Sequence, residues 1–258
     1  MLCWGRAMQR EDAAAASGFI ALLVLWQVVC SLKLLDIFLF PAPADIIGAM
    51  ISLLLSGIIV PDLLSTLIKI FVGFLVGSVS GLAIGFLLYS NRTVYESTTP
   101  LIDFGRSIPA TALFPLFLLF FGIGDGTNIA LAVWICSLYM ALHTAEGLKN
   151  TNRTRLMAAK SLKLSGKDVF FKIKLPEALP FVFVGLRTSI SLSIVVVVVT
   201  EMFIGTTHGL GKALIDFSYT YEIPSLYATI AIVGIIGFIL NRLLITLENK
   251  IVHWKSVL

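Results

Sequence analysis

Charge is the first thing this sequence of 258 residues lacks. Asp, Glu, Lys and Arg make up 13% of it and hydrophobic residues 58%, where a soluble domain carries about 25% charged residues. That shortage excludes a disordered chain and argues against an ordinary cytosolic enzyme. Cysteine is scarce as well. Cys3, Cys30 and Cys136 are too scattered for a disulfide framework or a CxxC site, and Cys30 and Cys136 read as small packing residues inside apolar runs. His143, His208 and His253 lie far apart, and no His/Glu pair has metal-site spacing. GxSxG does not occur, nor does GxxxxGK[ST], because Gly166-Lys167 runs into Asp168 and Gly211-Lys212 into Ala213. Neither enzyme activity nor a bound metal or cofactor is expected. The net charge of +4 is small, and it reads as membrane orientation rather than nucleic-acid binding.

Apolar runs fill the chain instead. A helix needs about 20 apolar residues to cross roughly 30 Å of hydrocarbon. Six spans are expected: Ala13 to Leu32, Ile70 to Tyr89 with a lead-in from Asp62, Ile108 to Ile123 with Pro109 and Pro115 inside it, Thr127 to Thr144, Ala178 to Thr200, and Ser225 to Leu240. Leu243 to Leu247 extends the last. The first follows Arg6 and Arg10 but is longer than a signal-peptide core and has no small-x-small site after it, so it counts as a span. Pro41 and Pro43 introduce a short segment, Ala44 to Leu55, that suits a helix on the outer surface. The expectation is one all-α integral membrane domain over residues 1–258.

Cations decide the orientation. With the N-terminus inside, the inner face receives Arg6, Arg10, Arg92, Arg106, Lys149, Arg153, Arg155, Lys160, Lys163, Lys167, Lys172, Lys174, Arg242, Lys250 and Lys255, which is 15 of 19. The outer loops hold Lys33 and Lys212, while Lys69 and Arg187 sit within spans. Positive residues mark the cytoplasmic side, so both termini are expected in the cytoplasm. Asn91-Arg92-Thr93 and Asn152-Arg153-Thr154 match a glycosylation pattern but fall on the inner side, and are discounted.

The inner loop from Lys149 to Leu175 reads as a helix–turn–helix. Arg155 to Leu164 is helix-forming sequence, Ser165-Gly166 breaks it, and Ser165 with Asp168 makes a capping-box pattern for a second helix ending at Pro176, with Pro180 opening the fifth span. Such a surface suits either a partner's groove or anionic lipid. Gly73, Gly77, Gly81 and Gly85 recur every fourth residue through the second span, a small-residue face for close helix approach. Packing within the chain is favoured there over a dimer seam. Arg187 and Glu201 are the charges deepest in an apolar run, and an unpaired charge at mid-membrane costs at least about 2.5–3.5 kcal/mol, so each should face protein or water. They stand too far apart on one helix to pair. Arg187 either lines a path and attracts an anion, or forms a structural ion pair with a carboxylate such as Glu146 or Asp103, or snorkels inward; the structural readings are favoured.

The stretch MAAKSLKLSGKDVFFKIKLPEALPFVFVGLRTSI, Met157 to Ile190, resembles the "EAA" loop of membrane subunits of ATP-binding-cassette importers, in particular the nitrate, sulfonate and taurine permeases. Pro41-Ala42-Pro43, Ser107-Ile108-Pro109, Leu119-Phe120-Phe121-Gly122-Ile123-Gly124, Thr200-Glu201-Met202 and Gly209-Leu210-Gly211 extend the resemblance almost end to end. Two departures stand out. The family's glutamate is Met157 here, and its loop glycine falls on Lys163, where a turn of positive φ is costly for lysine; Gly166 is the residue placed to take over that turn.

The resemblance implies a six-helix bundle of the type I importer permease kind in the inner membrane. It implies two permease copies (a homodimer), separate ATPase subunits that bind the ATP, and an extracytoplasmic binding protein that delivers the solute. Met157, Ala158, Ala159, Leu162, Lys163, Gly166, Leu175 and Pro176 would couple the chain to the ATPase, and Arg187 and Glu201 could line the path or gate. A small organic or inorganic anion is the expected cargo. A stand-alone channel or ion-coupled carrier is the rival reading, and a non-transporting scaffold would accommodate Met157 and Lys163.

Overall fold

The computed structural model describes residues 17–18, 20–32, 36, 38–204 and 206–254. Cys3, Arg6, Arg10, Lys33, Lys255 and the opening of the first expected span lie outside the described residues. Among those described the chain is helical, without a strand. In chain order the helices are α1 Ile20–Ser31, α2 Pro43–Leu55, α3 Val60–Ser90, α4 Arg92–Ser107, α5 Phe114–Phe121, α6 Asp125–Lys149, α7 Arg153–Ser161, α8 Gly166–Val169, α9 Leu175–Ile204, α10 Leu210–Tyr219 and α11 Ile223–Ile251.

Two compact units are present: residues 1–60 with 213–232, and residues 61–212 with 233–258. In the first, Pro43 opens α2 and the Gln27 side chain of α1 accepts from the Ala44 N–H at 3.3 Å. The Tyr227 hydroxyl donates to the Leu39 carbonyl at 3.3 Å, and its ring lies 6.2 Å from that of Trp26.

The second unit is built on α3, α6 and α9. The Gly73, Gly77, Gly81 and Gly85 face of α3 lies directly on α6: a methyl group added at each would stand 2.5 Å from Ala132 Cβ, 2.6 Å from Cys136 Cβ, 2.6 Å from Met140 Cβ and 2.5 Å from Thr144 Cβ. Two four-residue repeats therefore interlock, glycine against 132, 136, 140 and 144, and the backbones touch. On its other side α6 meets α9, where Cys136 Sγ donates to the Ser189 carbonyl at 3.3 Å and a methyl at Gly147 would reach Phe181 Cβ at 2.8 Å. Ser193 Oγ of α9 donates to the Ile70 carbonyl of α3 at 3.2 Å, closing the triangle.

Of the six expected spans the first lies partly outside the described residues; among those residues four helices are long and apolar enough to cross a membrane, α3, α6, the continuous Gly166–Phe203 stretch and α11, or five with one bent pair. That pair replaces the expected third span. Pro109 holds Ile108 extended (φ −77°, ψ 123°), so α4 stops there, and Ala110–Phe121 departs at 85°. Ala110–Leu113 is a 3-10 turn, Pro115 sits in the first turn of α5, and Gly122 (φ 76°) ends it. The sixth expected span does continue through Leu243 to Leu247, inside α11.

The loop reading needs a second correction. Pro176 does not end a helix and Pro180 does not open one: α8 runs through a π turn, Phe170–Lys174, straight into α9. In that wider turn the Leu175 N–H bonds to the Phe170 carbonyl five residues back. This register leaves room for the ring of Pro176 and tolerates its missing N–H. The two Asn-Arg-Thr triplets are helix starts: Asn91 caps α4 through the Thr93 and Val94 N–H groups, and Asn152 caps α7 through Thr154 N–H.

Gly77→Leu should leave no monodisperse protein on size-exclusion chromatography in detergent, because its side chain meets backbone as well as Cys136. Gly81→Ala should destabilise by about 1–3 kcal/mol, read as a lower melting temperature. Gly48→Ala, in α2 where nothing lies within 4 Å, should melt no lower and gain up to about 1 kcal/mol by helix propensity.

Candidate functional site

Three places collect the residues that sequence alone singles out: the connection between α6 and α9, the ends of α3 and α9 far from that connection, and the middle of α9.

The connection is braced rather than loose. Glu177, in the first turn of α9, accepts from Arg155 at 2.8 Å and from the Asn152 N–H at 2.7 Å, so α7 is tied to α9 at its base. Lys174 bonds to the Tyr89 hydroxyl, and Phe170 packs on Phe86 with ring centroids 6.1 Å apart. At the turn, Lys163 takes positive φ (51°) itself, whereas Gly166 has become the first residue of α8. Gly166 therefore does not take over the turn. Leu164 N–H bonds to the Ala159 carbonyl and Lys163 N–H to the Lys160 carbonyl, the two bonds of a glycine-type C-terminal cap built on lysine. Ser165 caps α8 in both directions, accepting from Asp168 N–H at 3.2 Å and donating to its carboxylate at 2.6 Å. Met157, Ala158, Leu162, Lys163 and Gly166 are exposed, Leu175 and Pro176 half-buried, and Ala159 buried.

At the ends of α3 and α9 the structure brings together residues that sequence reasoning left apart. Asp62, Thr66 and Lys69 lie on one face of α3. Lys69 and Glu201 are each only 1% exposed. The Lys69 ammonium reaches Glu201 Oε1 at 2.9 Å, Asp125 Oδ1 at 2.9 Å and the His208 carbonyl at 3.0 Å, which uses all three of its protons. Glu201 also accepts from Thr66 Oγ1 at 2.9 Å and from Gly211 N–H at 2.9 Å. The first amides of α10 are thus capped by other helices: Gly209 N–H by Asp62 at 2.8 Å, Leu210 N–H by Thr66 Oγ1 at 2.8 Å, Gly211 N–H by Glu201. A methyl at Gly209 would meet the Glu201 carboxyl at 2.5 Å, and one at Gly211 the Val198 carbonyl at 2.1 Å. Sequence reading placed Lys69 within a span and named no partner for it. Its signal was that it and Glu201 were two intramembrane charges of opposite sign, each lacking a partner.

Arg187 does form an ion pair, though not with Glu146 or Asp103. Its Nη1 stands 3.7 Å from Glu248 of α11, while Asp103 pairs with Arg106 at 3.1 Å. Thus Glu201 lies enclosed in protein, and Arg187, with its side chain 33% exposed, borders open space.

Two predictions follow from this geometry. Lys69→Met leaves a buried carboxylate without its cation and should cost about 3–5 kcal/mol; adding Glu201→Gln should recover part of that loss in a double-mutant cycle of melting temperatures. Lys163→Gly removes the strain of a left-handed lysine and should stabilise by about 1 kcal/mol, seen as a raised melting temperature.

Residues 73–253 match the family model described as the binding-protein-dependent transport system inner membrane component. The taurine transport system permease protein TauC of Escherichia coli K12 is 26% identical over 260 aligned residues, covering 99% of this chain and 94% of TauC. The nitrate import permease protein NrtB of Synechocystis sp. is 29% identical over 244 aligned residues, covering 90% of this chain and 86% of NrtB. Among solved structures, an inward-facing conformation of the MetNI methionine ABC transporter superposes with TM-score 0.66 at 20% identity, over 76% of this chain and 97% of that one, a likeness of fold. The interlocked α3–α6–α9 core and the braced connection that follows α6 lie within the matched residues, and the chain belongs to the family of inner-membrane components of binding-protein-dependent transport systems.

Proposed function

We propose that the chain is the membrane-spanning permease subunit of an ATP-driven, binding-protein-dependent importer, and that its cargo is a small organic or inorganic anion such as a sulfonate, taurine or nitrate. The observation that carries the mechanism is the bracing of residues 149–176. A lever must transmit displacement without bending. Here α7 is pinned to α9 through Glu177, and α8 flows into α9 through a π turn without a flexible break. A push on the exposed Met157, Ala158 and Leu162 surface reaches α9 directly, and α9 passes it to α6 through the Gly147 and Gly185 contacts.

In this reading an ATPase subunit grips α7 and the turn at Lys163 and Gly166, with Ala159, Leu175 and Pro176 supporting the surface from beneath. The ATPase binds the ATP. Two copies of this chain, taken as a homodimer, enclose the path, with both termini in the cytoplasm and the Asp62–His208–Gly211 end facing an extracytoplasmic binding protein. Closure of the ATPases then moves the helices between inward-open and outward-open arrangements. The TauC and NrtB likenesses support an anionic cargo, as does the Lys and Arg surplus on the inner loops for the orientation.

The test is co-purification. The tagged chain, isolated from membranes that also express its neighbouring ATPase and binding protein, should carry the ATPase, and hydrolysis should rise when binding protein is added. Leu162→Asp or Ala158→Arg should lower ATPase recovery at least about tenfold, equivalent to about 1.4 kcal/mol of interface, with the melting temperature unchanged. Solute movement by the purified chain alone in liposomes would overturn the reading in favour of a channel or carrier.

A further inference from the structure

The face of α9 that carries Arg187 is unlike the rest of that helix. Val184, Arg187, Thr188, Ser191 and Leu192 follow i, i+3, i+4, i+7, i+8 spacing, one stripe of a helix, and together with Asn241 of α11 they line an open cavity of about 420 Å³. Arg187 lies nine residues into the apolar stretch that begins at Ala178, about 13 Å along the helix axis, which is near the middle of roughly 30 Å of hydrocarbon. A guanidinium, two hydroxyls and an amide at that depth are not a lipid-facing surface; they require protein or water.

The ion pair with Glu248 does not close the site. At 3.7 Å it is longer than a charge-assisted hydrogen bond, so the planar donor fork of Arg187 is neutralised without being locked. The Thr188 hydroxyl donates to the Val184 carbonyl and the Ser191 hydroxyl to the Arg187 carbonyl, both at 3.0 Å. These bonds engage the hydroxyl protons along the helix, so the donors left to an anion are the guanidinium and the Asn241 amide. Asn241 brings an amide that can donate to an anion.

We propose that this cavity is a transit site for a small oxyanion within the membrane, with Arg187 as its principal anchor, Asn241 as second donor, and the Glu248 carboxylate as the internal anion that holds Arg187 when cargo is absent. The proposal rests on the importer reading above and names the place and chemistry of its cargo: a sulfonate, nitrate or carboxylate group, recognised by the guanidinium fork. Exchange of one carboxylate-like partner for another keeps binding modest, and a site on a path must release what it binds.

The test uses the full chain in membrane vesicles carrying Ser191→Cys, with labelling counted above that of the chain's own Cys3, Cys30 and Cys136. With each rate referred to that of the same reagent on a free thiol, an anionic methanethiosulfonate should react faster than its cationic analogue, and methanesulfonate or nitrate should slow the reaction while dimethyl sulfone does not. Arg187→Gln should lower the anionic-to-cationic rate ratio about tenfold, as loss of a nearby unit charge implies. Arg187→Lys should keep the ratio but weaken protection by methanesulfonate, and Glu248→Gln should raise the anionic rate. Should Arg187→Gln fail to assemble, the rate ratio and the protection measured on Ser191→Cys alone decide. Equal rates with no protection, or a position 191 that no reagent reaches, overturn the site and leave Arg187–Glu248 a structural pair. Continued recovery of the ATPase and binding protein by the same preparation would show that the importer reading survives that outcome.

Discussion

One buried carboxylate organises the end of the helical core at which α3 and α9 meet. Glu201 is enclosed in protein, and Lys69, Thr66 and the Gly211 amide converge on it. Removing two ions from water costs several kcal/mol each, and the attraction between them compensates only where further hydrogen bonds satisfy what remains. That requirement explains the local sequence. Gly209 and Gly211 leave room for the carboxylate, because a methyl at either would overlap it or the backbone beside it. Thr66 both donates to Glu201 and accepts from Leu210 N–H, so α10 starts where α3 and α9 permit. The motif pieces Thr200-Glu201-Met202 and Gly209-Leu210-Gly211 are two halves of one knot.

The glycine face of α3 works toward the same end by another route. In a bilayer there is little hydrophobic gain in bringing helices together, so close backbone contact has to supply the attraction. Interlocking four glycines with Ala132, Cys136, Met140 and Thr144 fixes the register of α3 on α6 along most of their length. The Lys69–Glu201 pair then fixes α3 on α9 at one end, and Glu177 ties the α7 connection to α9 at the other. A displacement applied at the connection meets a body that moves as one piece. In the proposed importer, this stiffness would let a small surface around Met157 and Leu162 act on distant helices.

Much of this was legible in the residues, and the misses have physical causes. Apolar length and cation placement mark out the long helices, and period-four glycine marks the face of α3. The third span failed because a run of apolar residues says nothing of direction: Pro109 and Gly122 break the helix on both sides of α5. The loop prolines misled for the opposite reason, since a π turn absorbs Pro176, and Pro180 lies within the helix that follows. Lys163 was expected to yield its turn to Gly166. Instead two backbone hydrogen bonds and the cap at Ser165 hold the lysine in a conformation it disfavours. Long-range pairing was the least visible: Lys69 and Glu201 are separated by more than half the chain, and no local pattern links them.

The two charges that sequence reading grouped together meet opposite fates, and the contrast is informative. Glu201 has every oxygen engaged at hydrogen-bond distance from partners that belong to the fold, so changing its environment means dismantling the ends of three helices. Arg187 has one carboxylate at 3.7 Å and an open cavity lined with hydroxyls and an amide. Both satisfy the demand that an intramembrane charge be met by protein or water, but only the second leaves capacity for something else to meet it. A group kept for structure alone has reason to reach the first condition. The looseness of Arg187 beside that open cavity is what makes it, and not Glu201, the residue on which the proposed transit site rests.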